Sequence, residues 1–407
     1  MSPRGIAEFA ADGSTRRLLR TGLEQEVLGW VQRPTTATCW MPATGTLLLL
    51  RDAASQDLVL ARLGEDDRGA TVLAQLPKSW RDAPFGLEIA PDASRFYLCL
   101  AASDHPDKIC QLGPEFDAAR PLASFNPALA DVALGTSRLV EWRALDGQQR
   151  RGTLVLPPGY REGQRLPVIA EVYLGAMGSN WRHRFGGAQG VLHAQVLASR
   201  GYAVLYPDMP AVERDAVRHL LGQVLPALDR LIELGIADPD RLGVMGQNYG
   251  GYCVQALLTQ TGRFRAAVSS AGATNLTSAY GALTPDGHSR WTGWLETGQG
   301  RAGGSLWERR DAYIENSPLF YLDRVSTPLL LICGSAHPEE PQQAGEAFGA
   351  LRRLGKRVEL RVYHGEGHWP GTWSEASYRD VCGRILAWFD TYLGCSPELW
   401  SVSHAGG

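Results

Sequence analysis

Leu242-Gly-Val-Met-Gly-Gln-Asn-Tyr-Gly-Gly-Tyr-Cys-Val-Gln-Ala-Leu-Leu-Thr-Gln-Thr261 is the stretch on which the fold turns. Leu242–Met245 reads as a short buried strand, and Tyr249 to Thr261 carries apolar residues at helical spacing. Between them Gly246-Gln-Asn-Tyr-Gly-Gly251 supplies the small residues that let a strand pass into a helix through one tight turn. Outward from this unit the pattern repeats. Upstream lie the apolar runs Arg165–Tyr173 and Gly201–Tyr206 and a helical pattern over Arg218–Leu234. Downstream come strands at Ala266–Ser270, Pro328–Cys333 and Val358–Tyr363, with helices over Gln343–Leu354 and Val381–Leu393. Strands alternating with helices predict an α/β fold, a mostly parallel sheet with helices on both faces and its site at the carboxyl ends of the strands.

The alternation begins near residue 134. Before it, Gly45–Arg51, Asp57–Arg62 and Phe85–Leu100 read as short strands, the last broken by a Pro91-Asp-Ala-Ser94 turn. A hairpin spacing of about 40 residues is that of a β-propeller blade, but this length supplies about three blades where closed propellers have about four to eight. The expected organisation is therefore a small antiparallel β domain over 1–133, resembling a truncated propeller, followed by the α/β domain over 134–407. Open sheet edges in such a fragment need covering, by the α/β domain or by a second subunit, and the latter would make a homo-oligomer through this domain.

Composition narrows the class. Of 407 residues, 44% are hydrophobic and 20% charged, values that support a large core and exclude disorder. The longest aliphatic run, Leu47–Leu50, is far short of the roughly 18 residues that span a bilayer, so no membrane partner is expected. The first twenty residues lack an apolar block before a cleavage site, which gives the expectation of a cytoplasmic protein. Net charge is −3, and the arginines are scattered among acids, so nucleic acid is not an expected partner. Seven cysteines, at 39, 99, 110, 253, 333, 382 and 395, form no paired metal-binding spacing; neither metal nor cofactor is expected.

The turn at Gly246–Gly251 has the context of a nucleophile elbow, G-x-S-x-G. With it stand Glu141-Trp-Arg-Ala-Leu-Asp-Gly147, Leu197-Ala-Ser-Arg-Gly-Tyr-Ala-Val204, Glu315-Asn-Ser-Pro-Leu-Phe-Tyr321 and Tyr363-His-Gly-Glu-Gly-His368. Together, from about Pro121 to Leu393, these segments resemble the prolyl oligopeptidase family of serine peptidases, whose catalytic domain is an α/β-hydrolase. The resemblance implies where a catalytic triad would lie. Its histidine maps to His368. Its serine maps to Asn248, and its acid, in the segment Gly334-Ser-Ala-His-Pro-Glu-Glu-Pro341, maps to His337. It also implies oxyanion donors at Tyr173 and at the backbone N–H of Tyr249 and substrate-binding positions at Leu276 and Tyr280; Trp369, which adjoins His368, is expected to be a pocket wall. Glu340 falls where the family has an apolar residue facing the substrate.

A carboxamide is not a useful nucleophile, and loss of the serine from such a triad costs about six orders of magnitude in kcat. His337 cannot provide the negative charge that steadies an imidazolium. Glu339 and Glu340 read either as a solvated charge pair or, for Glu340, as a carboxylate that takes over beside His368. Three uses fit these residues. One is a repurposed enzyme that works on a peptide-like or acyl biosynthetic intermediate by acid/base cyclisation, elimination or isomerisation. The others are a pseudo-peptidase that binds a peptide or protein partner and a peptidase or esterase held inactive by a serine-to-asparagine change.

Overall fold

The computed structural model describes residues 5–9, 15–20, 26–30, 46–63, 70–76, 79–81, 87–90, 95–113, 119–185, 191–212, 215–284 and 286–394. The Pro91–Ser94 turn, Cys39 and Cys395 lie outside them. The chain divides into two compact units, one of residues 1–132 with 182–185, the other of residues 133–181 with 186–407.

The first unit is antiparallel throughout its described strands. Glu26–Trp30, Thr46–Arg51, Leu58–Leu63 and Ala70–Leu76 form a meander in chain order, about the size of one propeller blade. A second sheet joins Arg120–Ser124, His105–Leu112, Phe96–Ala102 and Ser79–Arg81, with Leu87–Ile89 also pairing with Phe96–Ala102. Leu58, Leu60, Phe96, Leu98, Leu100, Cys110 and Leu112 make one buried cluster between these strands. Arg120–Ser124 is fully exposed and carries Pro121, the usual guard of a sheet edge.

The second unit is built on eight strands: β1 (Thr136–Arg143), β2 (Gln149–Leu156), β3 (Leu166–Glu171), β4 (Ala203–Pro207), β5 (Ala237–Gln247), β6 (Ala266–Ser270), β7 (Leu329–Gly334) and β8 (Val358–Tyr363). Their order across the sheet is β1-β2-β4-β3-β5-β6-β7-β8. β1 and β2 pair antiparallel, as do β2 and β4, and every later pair is parallel. The helices are α1 (Ala194–Ala198), α2 (Ala216–Glu233), α3 (Tyr249–Leu258), α4 (Leu276–Tyr280), α5 (Thr292–Glu296), α6 (Arg310–Glu315), α7 (Glu339–Arg353) and α8 (Glu375–Leu393). α2, α3 and α7 share one apolar cluster with the sheet, and α1 and α8 share the other. That two-faced cover is why β3, β4, β6 and β7 are buried at every residue and read as unbroken apolar runs. Among the described residues no helix is long and apolar enough to cross a membrane.

Two boundaries differ from the sequence expectation in ways that matter. α7 begins at Glu339, four residues before the expected Gln343, with Pro338 at its N-cap and Pro341 in its first turn. Proline lacks only an N–H that the first turn leaves unbonded anyway, so neither residue interrupts the helix. β1 and β2 were not legible as strands, because their half-exposed faces carry Ser137, Arg138, Glu141, Arg150 and Arg151.

Candidate functional site

β5 delivers Gly246 and Gln247 into the turn, and Asn248 makes the reversal at φ 56°, ψ −118°. These angles match the first central position of a type II′ turn, which glycine favours and which asparagine tolerates better than most residues. The turn is held on both sides. The Asn248 N–H donates to the Ser270 carbonyl at 2.8 Å, and its carbonyl accepts from the Tyr252 N–H at 3.1 Å. A Cβ on Gly246 would overlap the backbone of Gly250, so only glycine fits there.

Tyr173 follows β3 and lies across the turn. Its hydroxyl accepts from Asn248 Nδ2 at 3.4 Å, and the Gln299 carboxamide lies on the same hydroxyl, Nε2 at 3.4 Å and Oε1 at 3.5 Å. Tyr249 is buried at the start of α3. Its ring stacks on Tyr252 at 5.4 Å and takes the edges of Trp294 at 5.3 Å and Tyr173 at 6.1 Å. Burial raises its phenol above the ordinary range. The ring is thus a wall, and the chemistry available from Tyr249 is that of its backbone N–H.

His368 sits in the loop after β8. Two sets of backbone bonds lace this loop to the one after β7: Ser335 N–H to the Tyr363 carbonyl at 3.1 Å, and Ala336 N–H to the Glu366 carbonyl at 2.9 Å. Gln247 Nε2 donates to the His368 carbonyl at 2.7 Å, tying the histidine loop to the residue before Asn248. The His368 ring meets the edge of Trp369 at 4.7 Å, and its Nδ1 lies 2.7 Å from Glu340 Oε1. The two side chains are 15% and 5% exposed. An ionised Glu340 can only accept, so Nδ1 is the donor in such a bond, and in the neutral ring the lone pair then lies on Nε2.

Glu340 reaches the ring from the first turn of α7, while His337 contributes to this corner through its backbone carbonyl, which accepts the Glu340 N–H at 3.1 Å. The His337 side chain is half-buried and makes no hydrogen bond among the described residues. Glu339 and Glu340 are 4% and 6% exposed, so the expectation of a solvated charge pair fails for both. Their placement on a helix start rather than in a loop is the reason, since the first turn is buried against neighbouring loops and favours negative charge. Glu339 Oε1 pairs instead with Arg290 Nη1 at 3.0 Å. Each glutamate keeps one buried oxygen, Oε2, without a hydrogen bond.

Asn248, Tyr173, Tyr249, His368, Trp369 and Glu340 are therefore joined by direct contacts or through Gln247 and Gln299. Leu276 and Tyr280 are not. Leu276 is a core residue of α4, and Tyr280 donates its hydroxyl to Glu296 Oε1 at 2.7 Å and packs on Trp307 and Tyr313. Gln247, Gln299 and Arg290 escaped the sequence reading. Only Gln247, adjacent to the turn, carried a positional signal.

Comparison with known proteins agrees with this architecture. The chain is 27% identical over 323 residues to the uncharacterized peptidase YuxL of Bacillus subtilis, covering 75% of this chain and 46% of that protein. It is 28% identical over 331 residues to the lasso peptide isopeptidase AtxE2 of Asticcacaulis excentricus, covering 74% and 44%. The chain thus spans less than half the length of these curated relatives. Among solved structures, an AtxE2 isopeptidase variant with bound Astexin3-dC4 superposes with a TM-score of 0.73 at 24% identity, over 93% of this chain and 57% of that one. The acylaminoacyl peptidase of Pyrococcus horikoshii gives 0.68 at 20% identity, over 94% and 58%; both share the fold. The prolyl oligopeptidase family model matches residues 189–396, half of the chain, which covers the turn, the Glu340 helix and the His368 loop: the chain belongs to the prolyl oligopeptidase family.

Proposed function

We propose that this member of the family works without a covalent intermediate, using His368 and Glu340 as an acid/base pair on a peptide-like or acyl substrate. The observation that carries this reading is the 2.7 Å contact between Glu340 Oε1 and His368 Nδ1, made while Asn248 occupies the turn. Asn248 has neither hydroxyl nor thiol, so no acyl-enzyme forms on it. The carboxylate fixes the tautomer of His368, leaves Nε2 to take a proton, and stabilises the imidazolium that results. The Tyr249 N–H and the Tyr173 hydroxyl are the donors for a carbonyl oxygen as negative charge builds on it. Proton removal at one atom and return at another is the chemistry of cyclisation, elimination or isomerisation, which needs no attacking serine.

The test starts from the neighbouring genes, which identify the substrate class, followed by turnover of three variants. His368→Ala and Glu340→Gln should each lower kcat by about 10²-fold or more, the usual contribution of a general acid or base, and His337→Ala should lower it far less. Unchanged turnover in both of the first two variants would refute the acid/base role and leave the site to ligand binding.

A further inference from the structure

One charged group beside this site has no part in the proton chemistry. Arg290 precedes α5, and its Nη1 lies 3.0 Å from Glu339 Oε1. The two partners differ sharply in exposure: the Glu339 side chain is 4% exposed and the Arg290 side chain 45%. A buried carboxylate thus holds one terminal nitrogen of a guanidinium on a half-exposed side chain. Of the five N–H donors of an arginine, that contact uses one, and no other hydrogen bond from Arg290 occurs among the described residues.

As a stabilising device the pair is a poor one. Burying Glu339 is costly, its Oε2 has no hydrogen-bond partner, and a cation left half in water returns little of that cost. As a device for presenting a cation it is well made. A guanidinium pinned at one nitrogen keeps its planar fork for a bidentate carboxylate.

Its location ties it to the site from two directions. Glu339 immediately precedes Glu340, whose carboxylate is on His368. Trp291, the residue after Arg290, meets Trp294 edge-on at 5.3 Å, and Trp294 meets Tyr249 at 5.3 Å. The same segment ends at Gln299, which lies on the Tyr173 hydroxyl. The stretch from Arg290 to Gln299 is therefore tied to the site near both ends, through Glu339, the chain neighbour of Glu340, and through Gln299 on Tyr173.

We propose that Arg290 is a specificity-determining residue that takes the terminal carboxylate of the substrate, a peptide or acyl chain ending in a free acid. Such an anchor shares with the proposed function the premise that a substrate occupies this site, but it requires no proton transfer. Binding therefore tests it separately from turnover.

The experiment is isothermal titration of the full chain with N-acetyl-L-phenylalanine and its neutral counterpart, N-acetyl-L-phenylalaninamide. The wild-type protein should bind the acid about tenfold or more tightly than the amide, as expected for a charge-assisted bidentate contact. That preference should hold from about pH 6 to about pH 9, because a guanidinium stays charged throughout. Arg290→Gln should erase the preference while leaving the amide's affinity within about twofold of wild type; Arg290→Lys should retain a part of it, and decides the matter if the glutamine variant does not fold. His368→Ala should keep the preference. Equal affinity for the two probes in the wild type, or no saturable binding of the acid, overturns the assignment. So does a preference that survives in folded Arg290→Gln. A preference that vanishes in His368→Ala also overturns it, since the anion would then lie on the histidine.

Discussion

At Asn248 the backbone and the side chain make separate statements. The backbone, at φ 56° and ψ −118°, keeps the turn that presents a side chain at the start of α3, and the carboxamide spends its Nδ2 on Tyr173. Holding a non-glycine residue in this region costs about 1–3 kcal/mol, so a serine placed there would meet a similar strain and no new obstacle. It would also find His368 already held by a carboxylate. A fluorophosphonate should therefore leave the wild-type turn unlabelled and modify Asn248→Ser on the peptide containing Gly246–Gly251. Adding Glu340→Gln to that variant should slow labelling by about 10²-fold, because the imidazole then loses the partner that steadies its charge. Mass spectrometry of the digested protein reads both outcomes. A wild-type adduct on that peptide, or an inert Asn248→Ser, would mean that the turn and His368 are not arranged as one site.

The element that sets the carboxylate in place is α7, and Gln343 is one of the residues that tie it to the segment Thr274–Ser278. The Gln343 Oε1 accepts two backbone N–H groups, Thr274 at 2.9 Å and Asn275 at 2.8 Å, and its Nε2 donates to Ser278 Oγ at 2.9 Å. Gln343→Leu would leave two buried N–H groups without acceptors, a loss of about 2–4 kcal/mol that a urea melt should detect. If the helix start moves with it, kcat should fall toward that of Glu340→Gln. A variant as stable as wild type would mean that water replaces the glutamine at both N–H groups. This helix also shows where sequence reading stopped. β6 and β8 could be bounded to the residue, since apolar runs between turns have one natural extent. The start of α7 could not, because Pro338 and Pro341 signal a break anywhere but the first turn. The fate of Glu340 followed from that boundary. In a loop it would be a solvated charge; on the first turn it is buried against His368. Its family position, facing the substrate, was the one legible hint. Arg290 gave none, because what distinguishes it is a buried partner 49 residues away.

Across the whole second unit the sheet carries one ionisable group whose effect should be global. Glu171 ends β3, pairs in register with Met245 of β5, and is buried. Burial raises its carboxyl from 4.5 to about 8, and the neighbouring Tyr206 hydroxyl opposes this only in part. In the unfolded chain the group ionises near the ordinary value. Between that value and about 8 the native protein therefore binds a proton that the unfolded chain has lost. The stability associated with Glu171 is then intact at low pH, declines as pH rises through this window, and remains lost above it. A rise from 4.5 to about 8 corresponds to about 5 kcal/mol at most, large against the usual margin of a folded domain. Glu171→Gln keeps the shape and removes the titration. Urea unfolding of both proteins at steps from about pH 5 to about pH 8.5 should show the variant gaining on the wild type as pH rises, by up to that amount. Other groups that titrate in the same range cancel in the difference between the two curves as long as they do not couple to position 171. A difference that stays flat across the range would mean that Glu171 is already ionised in the native sheet, and that water or a cation reaches it there.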